Sequence, residues 1–207
     1  MVVGAVIKWF ASPNLTPRGL AWDGHTLWHG DNTTDLIYQI NPVTGAVIKS
    51  FAAPANNPRG LTWDGKTLWH SNQATLLIYQ INPITGAVIK SFAVPGTQAF
   101  GLAWDGKTLW HCDANMRLIY QINPVTGAVI KSFASPSNWP TGLTWDGKTL
   151  WHSDITLDRI YQINPITGAV IRFFAAPDLE PYGLAWDGET LWVSTENLNR
   201  IYQLETH

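Results

Sequence analysis

The chain consists of short apolar runs separated by turn sequences, and the same order of runs recurs along its length. One unit contains the runs GLAW, TLWH, LIYQI and GAVIKSF, with Asp-Gly after the first and NPVTG before the last. The runs are rich in Val, Ile, Trp, Tyr and Phe, as expected of strands, and no helical periodicity is present. Asp-Gly is a strong hairpin signal, and the Pro and Gly of NPVTG occupy turn positions. Each unit therefore predicts four short strands.

The unit repeats at intervals of 41 residues. A four-stranded unit of this length is typical of a β-propeller blade. The blades are predicted at residues 19–51, 60–92, 101–133, 142–174, and 183–207 together with 4–10. The sequence thus predicts an all-β, five-bladed propeller in which residues 1–207 form one domain.

The two ends of the chain favour a closed ring over a solenoid or a two-sheet sandwich. The chain begins with a lone fourth strand, Gly4 to Phe10, and stops after three strands of the fifth unit. The first segment can therefore supply the outer strand of the last blade, which leaves no open edge. Capping sequences, which a solenoid needs at its ends, are not evident. Because the last blade is completed within one chain, we expect a monomer.

The repeat GLAWDGKTLWHSD…IYQINPITGAVI resembles those of the YVTN, NHL and quinoprotein-like propeller group. It is similar to the repeats of glutamine cyclotransferase-like and streptogramin lyase-like proteins, and the resemblance covers the whole chain. It implies the blade type rather than an activity, because one fold hosts many functions. The near-identity of the units fits either recent amplification of one blade or a deliberately symmetrised design.

Composition narrows the function classes. The 207 residues are 45% hydrophobic and 14% charged, and the formal net charge is −2. This balance favours a buried core and gives no electrostatic basis for binding nucleic acid or a membrane surface. Cys112 is the single cysteine, and no apolar run approaches the roughly 20 residues of a membrane helix. No signal segment opens the sequence, which predicts a cytoplasmic location if the chain is complete.

Differences between the copies concentrate in two segments of each unit, the one before GLAW and the one after TLWH. Both emerge on one face of a propeller, which we call the loop face, whereas the nearly invariant Asp-Gly and NPVTG turns form the opposite turn face. Loops on a rigid scaffold are common binding sites, so the loop face is the predicted binding face for a small molecule, glycan or peptide. The candidate ligand-binding residues around its channel mouth are Arg18, Arg59, Phe100, Trp139, Thr141, Glu180, Tyr182, Asp31, Asp113 and Asp154.

The repeated histidines are predicted to be structural rather than metal ligands. They occupy one second-strand position in four copies, and Val193 takes that position in the fifth; they are His29, His70, His111 and His152. Zinc requires nitrogens at about 2.0–2.1 Å, and four imidazoles pointing into different blade interfaces would not meet. We expect no metal site and no cofactor.

Other repeated residues are also given structural roles. Ten of the twelve tryptophans recur and are predicted to pack between blades, while Trp9 is predicted to add buried apolar area on the closing strand. The lysines of the outer strands are predicted to be solvated charges that discourage edge-to-edge pairing. At the position of Cys112 the other copies carry Gly or Ser, which indicates a slot for a small residue.

Three functions remain in competition. The favoured one is a non-catalytic scaffold that binds or interacts through the loop face. The alternative is an enzyme of the glutaminyl cyclase-like or lyase-like propeller type, which requires a unique acid–base group at the channel mouth. Its candidate acids are Asp35, Asp158, Asp178, Glu180 and Glu196, and no catalytic residue is assigned. A lectin with one sugar per blade would require identical pockets, which the variable loops do not provide.

Overall fold

The computed structural model describes residues 2–207 and confirms the five-bladed β-propeller. Twenty strands form five four-stranded antiparallel sheets arranged in a ring, and four of these sheets use consecutive strands. Each strand position of the predicted unit is found, and each sheet is one blade.

The strands have the following bounds, given from the axis outwards. The innermost strands are β2 (Pro17–Trp22), β6 (Pro58–Trp63), β10 (Leu102–Trp104), β14 (Pro140–Trp145) and β18 (Pro181–Trp186). The second strands are β3 (Leu27–Asp31), β7 (Leu68–Asn72), β11 (Leu109–Asp113), β15 (Leu150–Asp154) and β19 (Leu191–Thr195). The third strands are β4 (Leu36–Ile40), β8 (Leu77–Ile81), β12 (Leu118–Ile122), β16 (Arg159–Ile163) and β20 (Arg200–Leu204). The outer strands are β5 (Val47–Ala52), β9 (Val88–Ala93), β13 (Val129–Ala134), β17 (Val170–Ala175) and β1 (Val6–Ala11).

The Asp-Gly turn is fixed by a hydrogen-bond network that recurs in every blade. In blade one, Asp23 accepts bonds from the Thr26 N–H and hydroxyl and from the indole N–H of Trp28. Gly24 follows at a φ of 99°, a left-handed conformation that glycine adopts without strain. The carboxylate thus ties the first hairpin to the second strand, which explains why WDGxTLW is repeated as a block.

Closure by the N-terminal strand is confirmed. β1 pairs antiparallel with β20, and Phe10 lies opposite Ile201. The ring of Phe10 also packs against Trp192 at 5.9 Å between centroids. Trp9 differs from its prediction, because it is half exposed and lies under the guanidinium of Arg200 at 3.6 Å from the ring centre. The closing strand is therefore held by its backbone ladder and by one apolar side chain.

The hydrophobic core lies between blades, in five separate clusters. The tryptophan of each second strand is at most 2% exposed and packs on residues of the next blade, as predicted; these are Trp28, Trp69, Trp110, Trp151 and Trp192. The tryptophans of the innermost strands are only partly buried, because they lie at the turn-face end of the axis; they are Trp22, Trp63, Trp104, Trp145 and Trp186.

The outer-strand cations are not freely solvated, so that prediction is wrong. The ammonium group of Lys49 donates to the carbonyl of Pro83 in the next blade at 2.8 Å. It also lies 5.2 Å from the centre of the Trp28 ring. Lys8, Lys90 and Lys131 repeat this pair of contacts. These lysines therefore connect neighbouring blades.

The innermost strands touch one another around the axis, which explains the five glycines of the GLAW and GLTW runs. A Cβ atom added at Gly101 would lie 2.6 Å from the backbone nitrogen of Leu143 in the next blade. Blade three departs from the others here, since Ala99 replaces the proline that begins the other innermost strands and its N–H donates to Gln73 Oε1 at 2.7 Å. β10 is accordingly only three residues long.

Candidate functional site

The loop-face end of the axis forms a cavity lined by the residue that precedes each inner-strand glycine. These five positions carry five side chains of mixed chemistry, namely Arg18, Arg59, Phe100, Thr141 and Tyr182. Beneath them lies a ring of leucines, Leu20, Leu61, Leu102, Leu143 and Leu184. The mouth is narrow and open to solvent, and its cavity volume of about 10 Å³ is roughly the room of one water molecule. Half of the predicted site residues are thus brought together, and we call this place the channel mouth.

Arg18 is paired with a carboxylate at the channel mouth through its two terminal nitrogens, while its Nε is buried without a partner. Its Nη1 and Nη2 contact the two carboxylate oxygens of Glu196, the second pair at 3.1 Å, so the ion pair is bidentate. Its guanidinium carbon lies 3.8 Å from the centre of the Tyr182 ring. The side chain is about 94% buried by these contacts. A bidentate carboxylate and an aromatic face are the partners that a guanidinium fits best.

Arg59 occupies the same position in the next blade and has no such partner. Its guanidinium carbon lies 5.1 Å from the centre of the Phe100 ring, and among residues 2–207 it makes no hydrogen bond. Its Nε is buried without a partner. Burial, followed by the positive charge of Arg18, lowers the pKa of Arg59 to about 10. The group remains a cation at neutral pH; the charge of Glu196 acts on its pKa in the opposite direction, but among residues 2–207 no carboxylate contacts it.

The other two members of the channel mouth are polar groups with different degrees of engagement. The Thr141 hydroxyl donates to the carbonyl of Pro181 at 2.7 Å and is buried. Tyr182 is half-buried, and burial is the largest cause of its raised pKa. The Arg18 side of the mouth thus contains an ion pair, whereas on the other side the cation of Arg59 has no carboxylate and lies beside Phe100, whose ring is almost entirely buried in the core.

The predicted aspartates lie outside the mouth. Asp31, Asp113 and Asp154 have no exposed surface and do not line the cavity. Each accepts backbone hydrogen bonds from both loop-face segments of its blade; Asp154, for example, accepts from the N–H groups of Trp139 and Leu157 at 2.9 Å each. These carboxylates therefore hold the two loop-face segments of each blade together.

Trp139 and Glu180 lie on the loops around the mouth and do not line it. Trp139 is 41% exposed, and Glu180 is exposed at a φ of 56°.

Of the other candidate acids, Asp35 and Asp158 each accept a hydrogen bond from a backbone N–H of the following loop, at 2.8 and 2.9 Å. Asp178 accepts from Thr195 Oγ1 at 2.9 Å. It thereby supplies the loop-holding carboxylate that blade five lacks at Thr195.

The histidines lie apart from the mouth, in the blade interfaces. Each is fully buried, and in blades two, three and four Nδ1 lies 3.2 Å from the carbonyl of the inner-strand glycine. Burial lowers the pKa of each to about 4. Residues 2–207 contain no group of three or more His, Cys, Asp or Glu side chains placed to hold a metal ion.

The partner of Arg18 was not among the predicted ligand-binding residues. Glu196 lies 178 positions from Arg18 in the chain, and it follows β19 in the loop face of blade five. Comparison of the repeats singles out Glu196, because the equivalent positions carry the uncharged residues Asn32, Gln73, Ala114 and Ile155. A unique acid beside a ring of mixed residues marks where the five-fold symmetry is broken.

A second axial cavity opens at the turn face. It is lined by the five inner-strand tryptophans together with Leu20, Ala21, Thr62 and Thr144, and its cavity volume is about 70 Å³. Its residues are nearly the same in every blade.

No helix in residues 2–207 is long and apolar enough to cross a membrane.

Comparison with known proteins relates the chain to propellers by structure alone. No protein-family model and no curated protein sequence matches it. It is similar to the structure of Myxococcus xanthus glutaminyl cyclase, with a TM-score of 0.84, 14% identity, and coverage of 97% of this chain and 95% of the other.

Two further structures are similar at lower scores. Virginiamycin B lyase from Staphylococcus aureus gives a TM-score of 0.60 at 20% identity, covering 96% of this chain and 69% of the other. A chain of a mitotic checkpoint complex gives a TM-score of 0.64 at 12% identity, covering 99% and 92%. At these identities the similarity shows the fold alone, and it includes a glutaminyl cyclase and a lyase, the two kinds of protein that the repeats resemble: the chain is a five-bladed β-propeller.

Proposed function

We propose that the protein is a non-catalytic, near-symmetric propeller scaffold that binds a small molecule, a glycan or a peptide at the channel mouth of its loop face. The observation that carries this proposal is the break in symmetry at one ring of positions. Blades that are otherwise near-copies place Arg, Arg, Phe, Thr and Tyr around the axis. An unpaired cation beside an aromatic side chain, at a mouth open to solvent, is a suitable point of contact for a small ligand.

The engagement of the acidic residues supports a binding role over a catalytic one. A general acid or base must reach the substrate, and its carboxylate must be available for proton transfer. Asp35, Asp158 and Asp178 accept hydrogen bonds that hold the loops, and Glu196 forms the bidentate pair with Arg18. Glu180 is exposed on a loop.

The proposal can be tested by NMR with a mixed library of small molecules, glycans and peptides. We expect ligand-induced shifts of backbone amides to cluster at the channel mouth. Arg59→Thr copies the residue of blade four at that position and removes the unpaired cation, so it is expected to weaken or abolish binding, and backbone amide spectra verify that the fold is kept. The matched control is Lys66→Glu on the turn face, which copies Glu189 of blade five and should leave binding unchanged. Shifts confined to the turn face, or none at all, would overturn the proposal.

The alternative is an enzyme of the glutaminyl cyclase-like or lyase-like type. This alternative is supported by the similarity of fold and by Glu196, an acid that is unique to blade five and lies beside the mouth. Turnover of glutaminyl peptides or of virginiamycin B that Glu196→Gln abolishes would establish this alternative. Turnover that Glu180→Gln abolishes would do the same for the acid on the rim.

A further inference from the structure

Two arginines occupy equivalent positions at the channel mouth, and only one has a carboxylate. Arg18 holds Glu196 through both terminal nitrogens, whereas Arg59 makes no hydrogen bond among the described residues 2–207. Each guanidinium has an aromatic partner, Tyr182 for Arg18 and Phe100 for Arg59. The two sites therefore differ in the acid and in the placement of the ring, since Tyr182 lies in the blade before Arg18 and Phe100 in the blade after Arg59.

The ring symmetry identifies the position of the missing acid. Glu196 belongs to blade five and pairs with the arginine of blade one, the next blade around the ring. The same step from Arg59 leads back to blade one, where the equivalent residue is Asn32. Asn32 carries no charge, so the chain does not provide for Arg59 the carboxylate that it provides for Arg18.

The surroundings of Arg59 make an anion favourable there. Arg18, Arg59 and Glu196 together leave one positive charge in excess at the mouth. The Nε of Arg59 is buried without a partner, as is that of Arg18, so the two sites differ at the terminal nitrogens, which hold Glu196 on Arg18 and hold no carboxylate on Arg59. A planar guanidinium binds a planar carboxylate through two parallel hydrogen bonds. The wall beside it is apolar, since Phe100 and the leucine ring line the cavity.

We propose that Arg59 is the anchor of a carboxylate-binding subsite, in which an organic carboxylate takes the place that Glu196 takes on Arg18 and its apolar body lies against Phe100. This inference rests on the proposed function and adds the chemical class of the ligand. The carboxylate belongs either to a free small molecule or to the C-terminus of a peptide, because both present the same group to Arg59.

The test uses 3-phenylpropionate as the probe and follows the side-chain Nε–H resonance of Arg59 together with calorimetric affinity. We expect the probe to bind and to shift this resonance, and the uncharged 3-phenylpropionamide to bind at least about tenfold more weakly, since a hydrogen bond to a charged group contributes about 1.5–3 kcal/mol. Peptides ending in phenylalanine, with free and amidated C-termini, identify the source of the carboxylate. Tighter binding of the free peptide than of the probe assigns the site to a peptide terminus, and the reverse assigns it to a small molecule.

A pair of substitutions at Asn32 provides the decisive control. Asn32→Glu places a carboxylate at the position equivalent to Glu196, and we expect it to shift the Arg59 resonance without ligand and to reduce probe affinity at least about tenfold. Asn32→Gln has the same length without the charge and should leave affinity nearly unchanged. Backbone amide spectra verify that both variants remain folded.

The possible failures separate this inference from the proposed function. Equal affinity for the probe and its amide, unchanged affinity in Asn32→Glu, or tighter binding of inorganic phosphate than of the probe would each overturn the carboxylate subsite. A neutral ligand that binds the mouth equally well in Asn32→Glu and wild type would overturn the subsite and leave the binding scaffold standing. The absence of any ligand at the mouth would overturn both.

Discussion

At the scale of single residues, the blades differ in whether Nε2 of the buried second-strand histidine has a hydrogen-bond partner. Ser12 Oγ lies 3.1 Å from His29 Nε2, and Ser135 Oγ lies 3.3 Å from His152 Nε2. In blade two the equivalent of these serines is Ala53, and Nε2 of His70 is buried without a partner. A buried polar atom in this state destabilises the fold.

Ala53→Ser should therefore raise the free energy of unfolding by about 1 kcal/mol, because the hydroxyl would lie where Ser12 lies relative to its histidine. Urea denaturation at pH 7.5 measures the change. The matched control is Ala176→Ser, since the histidine of that blade is replaced by Val193 and the new hydroxyl gains no such partner. Equal effects of the two substitutions would contradict this reason.

The buried histidines also predict a dependence of stability on pH. Burial lowers the pKa of His70 from 6.5 to about 4, so between these values the unfolded chain binds a proton that the folded chain excludes. Stability is then complete above pH 6.5 and is lost as the pH falls from 6.5 towards 4, by about 2 kcal/mol per histidine at pH 5.

Denaturation at pH 7.5 and pH 5.0 measures this loss, and His70→Val, which copies blade five, should make it smaller by about 2 kcal/mol. The aspartates of the Asp-Gly turns do not interfere in this window, because burial raises their pKa but the hydrogen bonds from Thr26 and its equivalents outweigh it and keep the pKa below 3.8. An identical pH dependence in the two proteins would refute the assignment to His70.

At the scale of elements, a small side chain on the second strand joins neighbouring innermost strands. The hydroxyl of Ser153 accepts from the N–H of Gly142 at 2.8 Å and donates to the carbonyl of Tyr182 in the next blade at 2.8 Å. Ser71 and Ser194 form the same bridge, and Cys112 forms a longer version through its sulfur. Blade one has Gly30 at this position and lacks the bridge.

Gly30→Ser should stabilise the protein by about 1–2 kcal/mol, because it adds the bridge and reduces the freedom of the unfolded chain. There is room for the new side chain, since a Cβ at Gly30 would lie 3.6 Å from the nearest atom of Leu61. Gly30→Ala separates the two contributions in a thermal or urea unfolding experiment. If Ala stabilises as much as Ser, the hydroxyl bridge has no energetic role.

The elements themselves could be predicted from the sequence, whereas their side-chain partners could not. Strand positions follow from turns such as Asp23-Gly24, whose hydrogen bonds are local and are repeated in each copy. The hydrogen bond from Lys49 to the carbonyl of Pro83 joins two blades, so the sequence around Lys49 does not indicate this partner. The pairing of Arg18 with Glu196 depends on ring closure and on the conformation of a loop. Strand pattern is therefore a local property of this chain, and the mouth is a property of the closed ring.

At the scale of the whole molecule, the closing strand joins the last blade to the first. β1 completes the sheet of blade five by pairing with β20. Lys8 donates to the carbonyl of Pro42 in blade one at 2.8 Å, and the ring of Phe10 lies against Gly45 of the same blade. Val6 and Ile7 of the same strand are about half exposed. The stabilisation by this strand thus comes from its ladder, Phe10 and Lys8.

Deletion of residues 1–10 should lower the melting temperature markedly, because blade five loses several ladder bonds of about 1 kcal/mol net each and Trp192 loses the cover of Phe10. The exposed edge of β20 is then a template for another chain, so the truncated protein should associate, whereas the full chain is expected to be a monomer. Calorimetry and light scattering measure the two effects.

Deletion of residues 1–3, which precede β1, is the control and should change neither. A peptide of residues 1–11 added to the truncated protein should restore both the melting temperature and the monomeric mass, since it offers β20 the same partner in trans. An unaltered melting temperature with a monomeric mass after the larger deletion would mean that the ring holds without its closing strand.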